Sequence, residues 1–354
     1  MNTVRYCISI LWAFLIFGVV WISKTEYFPK YEVKTLDIFG WPEMFLPDVL
    51  NTFEKKTGIK VRLHYYTSNE ELLVKLKATK GKGYDLIIPS DYAVKTLIEE
   101  QMLQPLDKSQ LNFLPYLNPL LLGLDYDLEN IYAIPYQWEV FGFGIDTEYF
   151  NDPLFKPSWQ DIFNPTIPNY KIAMINDPIE AVNFAAFYLY GPKKRMEEEQ
   201  IYEVYRLLDK QKSWVEAYAG LRADYLLATK NCQIALCSSS YIFRTADHYS
   251  HVKFVIPEDW SFMSIENFCI PKNSEKESLA YAFLNHIYAP QNLAADCKVF
   301  YNFPATTNVY PYLEVNEDFK RFLQNSKEYQ GKLHFIRHII PEKRAREIWV
   351  KVKS

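Results

Sequence analysis

A few residues in this chain have the types and spacing to hold a cation. Asp177-Pro178-Ile179-Glu180 sets two carboxylates three residues apart at the head of an apolar run. Glu266 stands inside an apolar stretch. An acid there needs a partner, because burying an unpaired charge is prohibitive. Trp41 and Tyr92 offer ring faces, which attract cations at about 0.5–2 kcal/mol each. Ser90 adds a hydroxyl between them. Each residue also has a plainer reading. Asp177 is a good helix N-cap, with Pro178 at the first helical position and Glu180 at the third. Ser90 would cap the helix that follows it, and Trp41 and Tyr92 would be core rings. Catalysis has less support: there is no nucleophile elbow, P-loop or HExxH, and the 6 histidines lack metal-ligand spacing. No cofactor is implied.

The elements that must carry these side chains follow from periodicity. Val33–Phe39 reads as a strand. Phe45, Leu46, Val49, Leu50 and Phe53 fall at helical spacing between Pro42 and Lys56, and Gly58 stands where a helix ends. Ile59, Val61, Leu63 and Tyr65 alternate as in a strand. Ser68 and Glu71 have capping-box spacing for a helix to Thr79. Tyr84–Pro89 is a short apolar strand, and a helix runs from Asp91 to about Gln101. This β-α-β-α-β order predicts an α/β, doubly wound parallel sheet. Ligands of such sheets lie beyond the carboxyl ends of the strands, which here carry Trp41, Tyr66-Thr67-Ser68, Ser90 and Tyr92. Further on, Lys171–Ile175, Gln233–Leu236, Lys253–Ile256 and Glu266–Ile270 read as strands. Pro178–Tyr190, Glu197–Leu208 and Ser274–Ile287 read as helices. No linker or repeat separates the halves, which suits two lobes joined by crossing strands.

The chain has 354 residues, formal net charge −4, and an aromatic content of 17%. The length allows two domains, the charge speaks against nucleic acid, and the rings exceed what a core alone requires. Tyr6–Ile22 is almost unbroken apolar sequence after Arg5, and no small-x-small cleavage site follows it. It is longer than the apolar part of most signal peptides and shorter than a comfortable membrane span. The segment is expected to be an uncleaved anchor, with a cleaved signal peptide as the other reading; the remainder is exported in both. Cys232, Cys237, Cys269 and Cys297 allow three disulfide pairings or none, and no CxxC pair or histidine cluster suggests zinc.

Phe53-Glu54-Lys55-Lys56-Thr57-Gly58-Ile59-Lys60-Val61, Ser68-Asn69-Glu70-Glu71, Tyr84-Asp85-Leu86-Ile87-Ile88-Pro89-Ser90 and Ile134-Pro135-Tyr136-Gln137-Trp138 resemble the spermidine/putrescine-binding branch of the bacterial solute-binding proteins. The likeness runs from about Leu36 to Asn308. It implies a two-lobed periplasmic-binding-protein-like fold of type II, each lobe a doubly wound sheet, closing on a ligand between the lobes. The implied divisions are 1–30 (signal or anchor), 31–138 and 265–312 (first lobe), 139–264 (second lobe) and 313–354 (a C-terminal helical segment packing on the lobes). It also implies a periplasmic or cell-surface location and ABC-transporter permease subunits as partners.

Matched position by position, the family's ligand contacts fall on Trp41, Ser90, Tyr92, Asp177, Glu180 and Glu266. Three family rings are replaced, by Cys237, Ser264 and Phe303, with Trp260 and Phe262 the nearby rings that could compensate. Losing two tryptophan faces weakens binding by about 1–4 kcal/mol, and the thinner clamp favours a shorter diamine. Three readings follow: a polyamine receptor of an importer, the same fold serving another solute or a membrane-tethered sensor, and an exported enzyme.

Overall fold

The computed structural model describes residues 2–24, 33–152, 155–166, 169–193, 195–219, 223–329, 331–337 and 339–354. Eleven strands among them join into one sheet. They are β1 (Thr35–Gly40), β2 (Lys60–Tyr65), β3 (Leu86–Ile87), β4 (Ala133–Asp146), β5 (Ile172–Ile175), β6 (Val215–Ala219), β7 (Ile234–Ser238), β8 (Val252–Val255), β9 (Ser261–Cys269), β10 (Phe303–Pro304) and β11 (Leu333–Phe335). The main path runs β2-β1-β3-β9-β4-β7-β5-β6.

β1 pairs parallel with β2 and β3, as the β-α-β-α-β rhythm predicts. β5 pairs parallel with β6 and β7 at the other end of the path. Between these parallel blocks lie β4 and β9, antiparallel to each other. β4 changes partners along its length. Ala133–Val140 pairs with β9, whereas Phe141–Asp146 pairs with β7 and β8. The two long strands are therefore the crossovers of a two-lobed α/β fold of type II.

Each lobe closes over its own core. The first contains Ile38, Phe53, Trp138, Phe268 and Phe283, the second Phe143, Trp159, Phe184 and Leu236. The C-terminal residues divide between them. Helix Glu317–Gln324 puts Phe319 and Phe322 into the first core, and helix Glu342–Lys353 puts Ile348 and Trp349 into the second. Gly142 and Gly144 let β4 lie close to its neighbours. A Cβ on Gly142 would stand 2.7 Å from the Phe254 ring, and one on Gly144 2.4 Å from Ile242 Cδ1.

Two boundaries differ from expectation for local reasons. The helix expected from Pro42 begins at Pro47, because Glu43 takes a left-handed φ of 60° and Pro47 suits a first helical turn. β9 begins at Ser261, earlier than the expected Glu266, because polar Ser264 and Glu266 interrupt its apolar run on one face. Cys232, Cys237, Cys269 and Cys297 are all buried free thiols. Helix Asn2–Lys24 leaves Phe14, Phe17 and Trp21 exposed. Among the described residues no helix is long and apolar enough to cross a membrane. The apolar run Tyr6–Ile22 spans about 26 Å as a helix, short of a bilayer core of about 30 Å.

Candidate functional site

Trp41, Ser90 and Tyr92 leave the carboxyl ends of β1 and β3, and Glu266 meets them from β9. Ser90 and Glu266 form an isolated antiparallel bridge, which brings their side chains together. Ser90 Oγ donates to Glu266 Oε1 at 2.7 Å, and Trp41 Nε1–H donates to Oε2 at 2.8 Å. Ser90 precedes helix Asp91–Glu99 yet makes no side-chain cap bond, so its hydroxyl serves Glu266 instead. Burial pushes the Glu266 carboxyl up to about 8, against the lowering influence of Ser90 and Trp41. Beneath it, buried Asp91 accepts from Ile265 N at 3.1 Å, and burial lifts it to about 7.

Two further residues fix this corner. Buried Asn69 donates to Ser90 Oγ (3.0 Å) and accepts from Ser90 N (3.2 Å). Tyr66, fully buried, places its ring 4.6 Å from that of Trp41 and donates to Ile88 O. Tyr92 is half-buried and donates to Glu70 Oε1 at 3.1 Å. The strand-end rule reached this neighbourhood, but nothing in the sequence marked Asn69 as the group that orients Ser90.

From the second lobe, Asp177 caps helix Pro178–Tyr190. Its Oδ1 accepts from Ile179 N (2.8 Å) and Glu180 N (2.9 Å). The capping role read from the sequence is therefore real, and Oδ2 lies outside it. The Glu180 carboxylate accepts no hydrogen bond from the described residues. Burial drives it well above the usual carboxylate range, with Asp177 and Glu139 adding repulsion. Arg346, paired with Glu342, places its charge near both Asp177 and Glu70, which sit on opposite lobes. That shared neighbour puts the two lobes face to face around these acids.

Glu139 was not anticipated. It lies in β4 opposite Ser264 of β9, and its Oε2 accepts from Ser238 Oγ (2.6 Å) and Ser240 Oγ (3.0 Å). Burial raises its carboxyl despite both hydroxyls. The signal was available: Glu139 is the one half-buried position in an otherwise buried 14-residue strand. Ser264 is half-buried on the same floor, two residues from Glu266.

The structure does not bring the other two replaced positions to this floor. Cys237 packs into the small core of Cys232, Ala235, Ile242 and Val252, and its neighbour Ser238 reaches Glu139 instead. Phe303 is fully buried against Trp138 (4.8 Å), Phe319 (4.9 Å) and Phe322 (4.5 Å). Trp260 and Phe262 pack toward the second lobe. Trp260 stacks on Trp159 at 4.5 Å, and Phe262 on Phe184 at 4.5 Å, both within the second core. By strand alternation Phe262 shares a face with Ser264 and Glu266, but at its end of β9 that face is covered by Phe184 and Phe187 of the second lobe.

The arrangement is thus a cleft floor of carboxylates and hydroxyls, walled by rings on the first lobe. Its carboxylates suit a cation. The chain as a whole is similar to known proteins. The family model for bacterial extracellular solute-binding proteins matches residues 48–322. The spermidine/putrescine-binding periplasmic protein of Escherichia coli K12 is 30% identical over 260 residues, 72% of this chain and 73% of that one. The putrescine-binding periplasmic protein SpuD of Pseudomonas aeruginosa is 29% identical over 342 residues, 91% of this chain and 92% of that one. The spermidine/putrescine ABC transporter substrate-binding protein PotD of Streptococcus pneumoniae superposes with a TM-score of 0.75 at 22% identity, covering 90% of this chain and 98% of that one. With the match running through both lobes and both crossover strands, the chain belongs to the bacterial extracellular solute-binding protein family.

Proposed function

We propose that this chain binds a polyamine, spermidine or putrescine, between its lobes and delivers it to the permease subunits of an ABC importer. One observation carries the reading: Glu139, Glu180 and Glu266 converge half-buried on the cleft, and among the described residues no cation is among the charges acting most strongly on them. Such acids await positive charge from elsewhere. A polyamine supplies separated ammonium groups, and Trp41 and Tyr92 supply faces for its methylenes. The names of the relatives above, which bind spermidine or putrescine, support the same chemistry. In this reading the protein is a receptor without catalytic activity, exported to the periplasm or cell surface. Asp177 lends Oδ2 to the ligand while Oδ1 caps the helix.

The apolar helix Asn2–Lys24 tethers the protein to the cytoplasmic membrane in this proposal. Its exposed Phe14, Phe17 and Trp21 are costly in water, and a slightly short span is accommodated by local thinning of the bilayer.

A thermal-shift panel of spermidine, putrescine, cadaverine, amino acids and thiamine tests the ligand class. A ligand at 100 times its Kd adds about 2.7 kcal/mol of stability. Stabilisation by amines alone is expected, and tight binding of an anionic solute with no response to any polyamine would sink the reading. Fractionation tests the tether: the protein should sediment with membranes, and a soluble species starting near residues 23–27 overturns it.

A further inference from the structure

Glu139 stands where β4 passes from one lobe to the other. Ser264 faces it across the β4–β9 pair, and Phe141, two residues on, already pairs with Ser238 of β7. Glu266 lies on the diagonal from Glu139 on the same face, about 7–8 Å away at ordinary sheet spacing. The charge of Glu139 acts on Glu266 on one side and on Glu180 on the other. It is the middle member of a row of three half-buried carboxylates. Its Oε2 is held by Ser238 and Ser240, whose hydroxyls lie 2.7 Å apart, while Oε1 receives no hydrogen bond from the described residues.

A second polar group neighbours Glu266. Gln137 is fully buried and stands directly opposite Glu266. Its Oε1 accepts from Asn302 Nδ2 at 3.0 Å, and its Nε2 has no partner among the described residues. Reversing both amides keeps their mutual hydrogen bond and leaves a carbonyl at that position instead. Gln137 therefore holds a buried amide end without a partner among the described residues, directly behind Glu266 in the β4–β9 pair.

We propose that Glu139 seats the middle ammonium group of a linear triamine whose outer groups pair with Glu266 and Glu180. The inference rests on the amine-binding reading above and adds what selects among amines. Three ligand charges match three carboxylates. A diamine leaves one of them without an ammonium partner; that carboxyl keeps its proton, and the third ion pair is forgone. The thin aromatic wall taken alone favours a diamine; the row of acids favours a triamine, because a third charge-assisted ammonium–carboxylate contact is stronger than a ring face. Burial also holds these three carboxyls above their usual range, so a triamine displaces more protons than a diamine. The titratable groups facing Glu139 are Glu180, Glu266, Tyr241 and Cys237.

Calorimetry on the full chain with spermidine and putrescine, in two buffers of different ionisation enthalpy, tests this against Glu139→Gln. The amide oxygen still accepts from both serines, so the melting temperature should hold. The expected result is a loss of about tenfold or more in triamine affinity, with less than about threefold for the diamine. The extra proton release that accompanies the triamine should vanish too. Equal losses for both amines, or no loss, overturn the inference and leave amine binding standing. A native chain that binds neither amine overturns both. Should Glu139→Gln fail to fold, Glu139→Asp keeps the charge but withdraws it by one methylene. The same triamine-selective loss is then expected, and a uniform one counts against the proposal.

Discussion

Trp41 and Glu266 lie 225 residues apart in the chain and meet through a 2.8 Å hydrogen bond from indole to carboxylate. With Ser90 on the other oxygen, the carboxylate is oriented before any ligand arrives. Glu266→Gln keeps a carbonyl for one of these donors and removes the charge. The apo melting temperature should shift little, because the native carboxyl is already largely neutral near pH 7. Amine affinity should fall by about 2–4 kcal/mol, measured by calorimetry. Unchanged affinity would remove Glu266 from the site.

The same corner makes binding depend on pH. Burial holds Glu266 near 8 and Asp91 near 7, above ordinary values of 4.5 and 3.8. A carboxyl that keeps its proton more tightly when folded stabilises the protein fully below its unfolded value. That contribution is lost as pH rises through the folded value. Apo stability should therefore decline between about pH 5 and 8. A cation reverses the trend, since it favours the carboxylate. Amine affinity should climb from pH 6 to 8.5 with proton release, readable as a dependence of calorimetric enthalpy on the buffer. Flat affinity with no proton release would contradict this.

Much of the architecture was legible because local chemistry and the fold agree. Gly58 takes a left-handed φ of 69° at its helix end, and Ser68 accepts from Glu71 N as the capping pattern requires. Trp41, Ser90 and Glu266 could be nominated from strand ends and an acid in an apolar strand. What stayed hidden is set by pairing across the sheet. Glu139 faces Ser264 only through the β4–β9 register, and Asn69 reaches Ser90 only after β-strand stacking has brought their loops together. Phe303, Trp260 and Phe262 were placed near a clamp by sequence position, yet their rings belong to the cores.

That placement of Phe303 has its own consequence. Its ring packs against Trp138, Phe319 and Phe322, so Phe303→Ala should cost about 3–5 kcal/mol of stability. The folded fraction should bind amine with native affinity. Chemical denaturation and calorimetry separate the two effects. A stable variant with impaired binding would return Phe303 to the ligand.

Gly144 probes the crossover itself. Gly144→Ala places a methyl 2.4 Å from Ile242 and 2.7 Å from Leu227, both in the tightly filled second lobe. Overpacking of this kind costs about 1–3 kcal/mol. The loss should appear in denaturant unfolding of the apo protein. An unchanged midpoint would mean that β4 can draw away from its neighbours without penalty.

Asp177 and Glu180 separate a cap from a ligand group, because the two roles use different properties of the same side chains. Capping needs an oxygen that accepts from Ile179 N and Glu180 N, and an asparagine oxygen does this about as well as an aspartate. Holding an ammonium group needs the charge. Asp177→Asn should therefore leave the melting temperature near the native value, whereas Asp177→Ala should lose about 0.5–2 kcal/mol of stability. If Oδ2 serves the ligand, both variants should lose amine affinity alike, despite their different stabilities. Glu180→Gln sharpens the comparison. Its carboxylate accepts no hydrogen bond from the described residues and is disfavoured by burial and by its acidic neighbours. Removing its charge should leave the apo protein as stable or slightly more so, yet weaken amine binding by about 2–4 kcal/mol. Native affinity in both Asp177→Asn and Glu180→Gln would confine these residues to starting a helix and move the ligand toward Glu139 and Glu266.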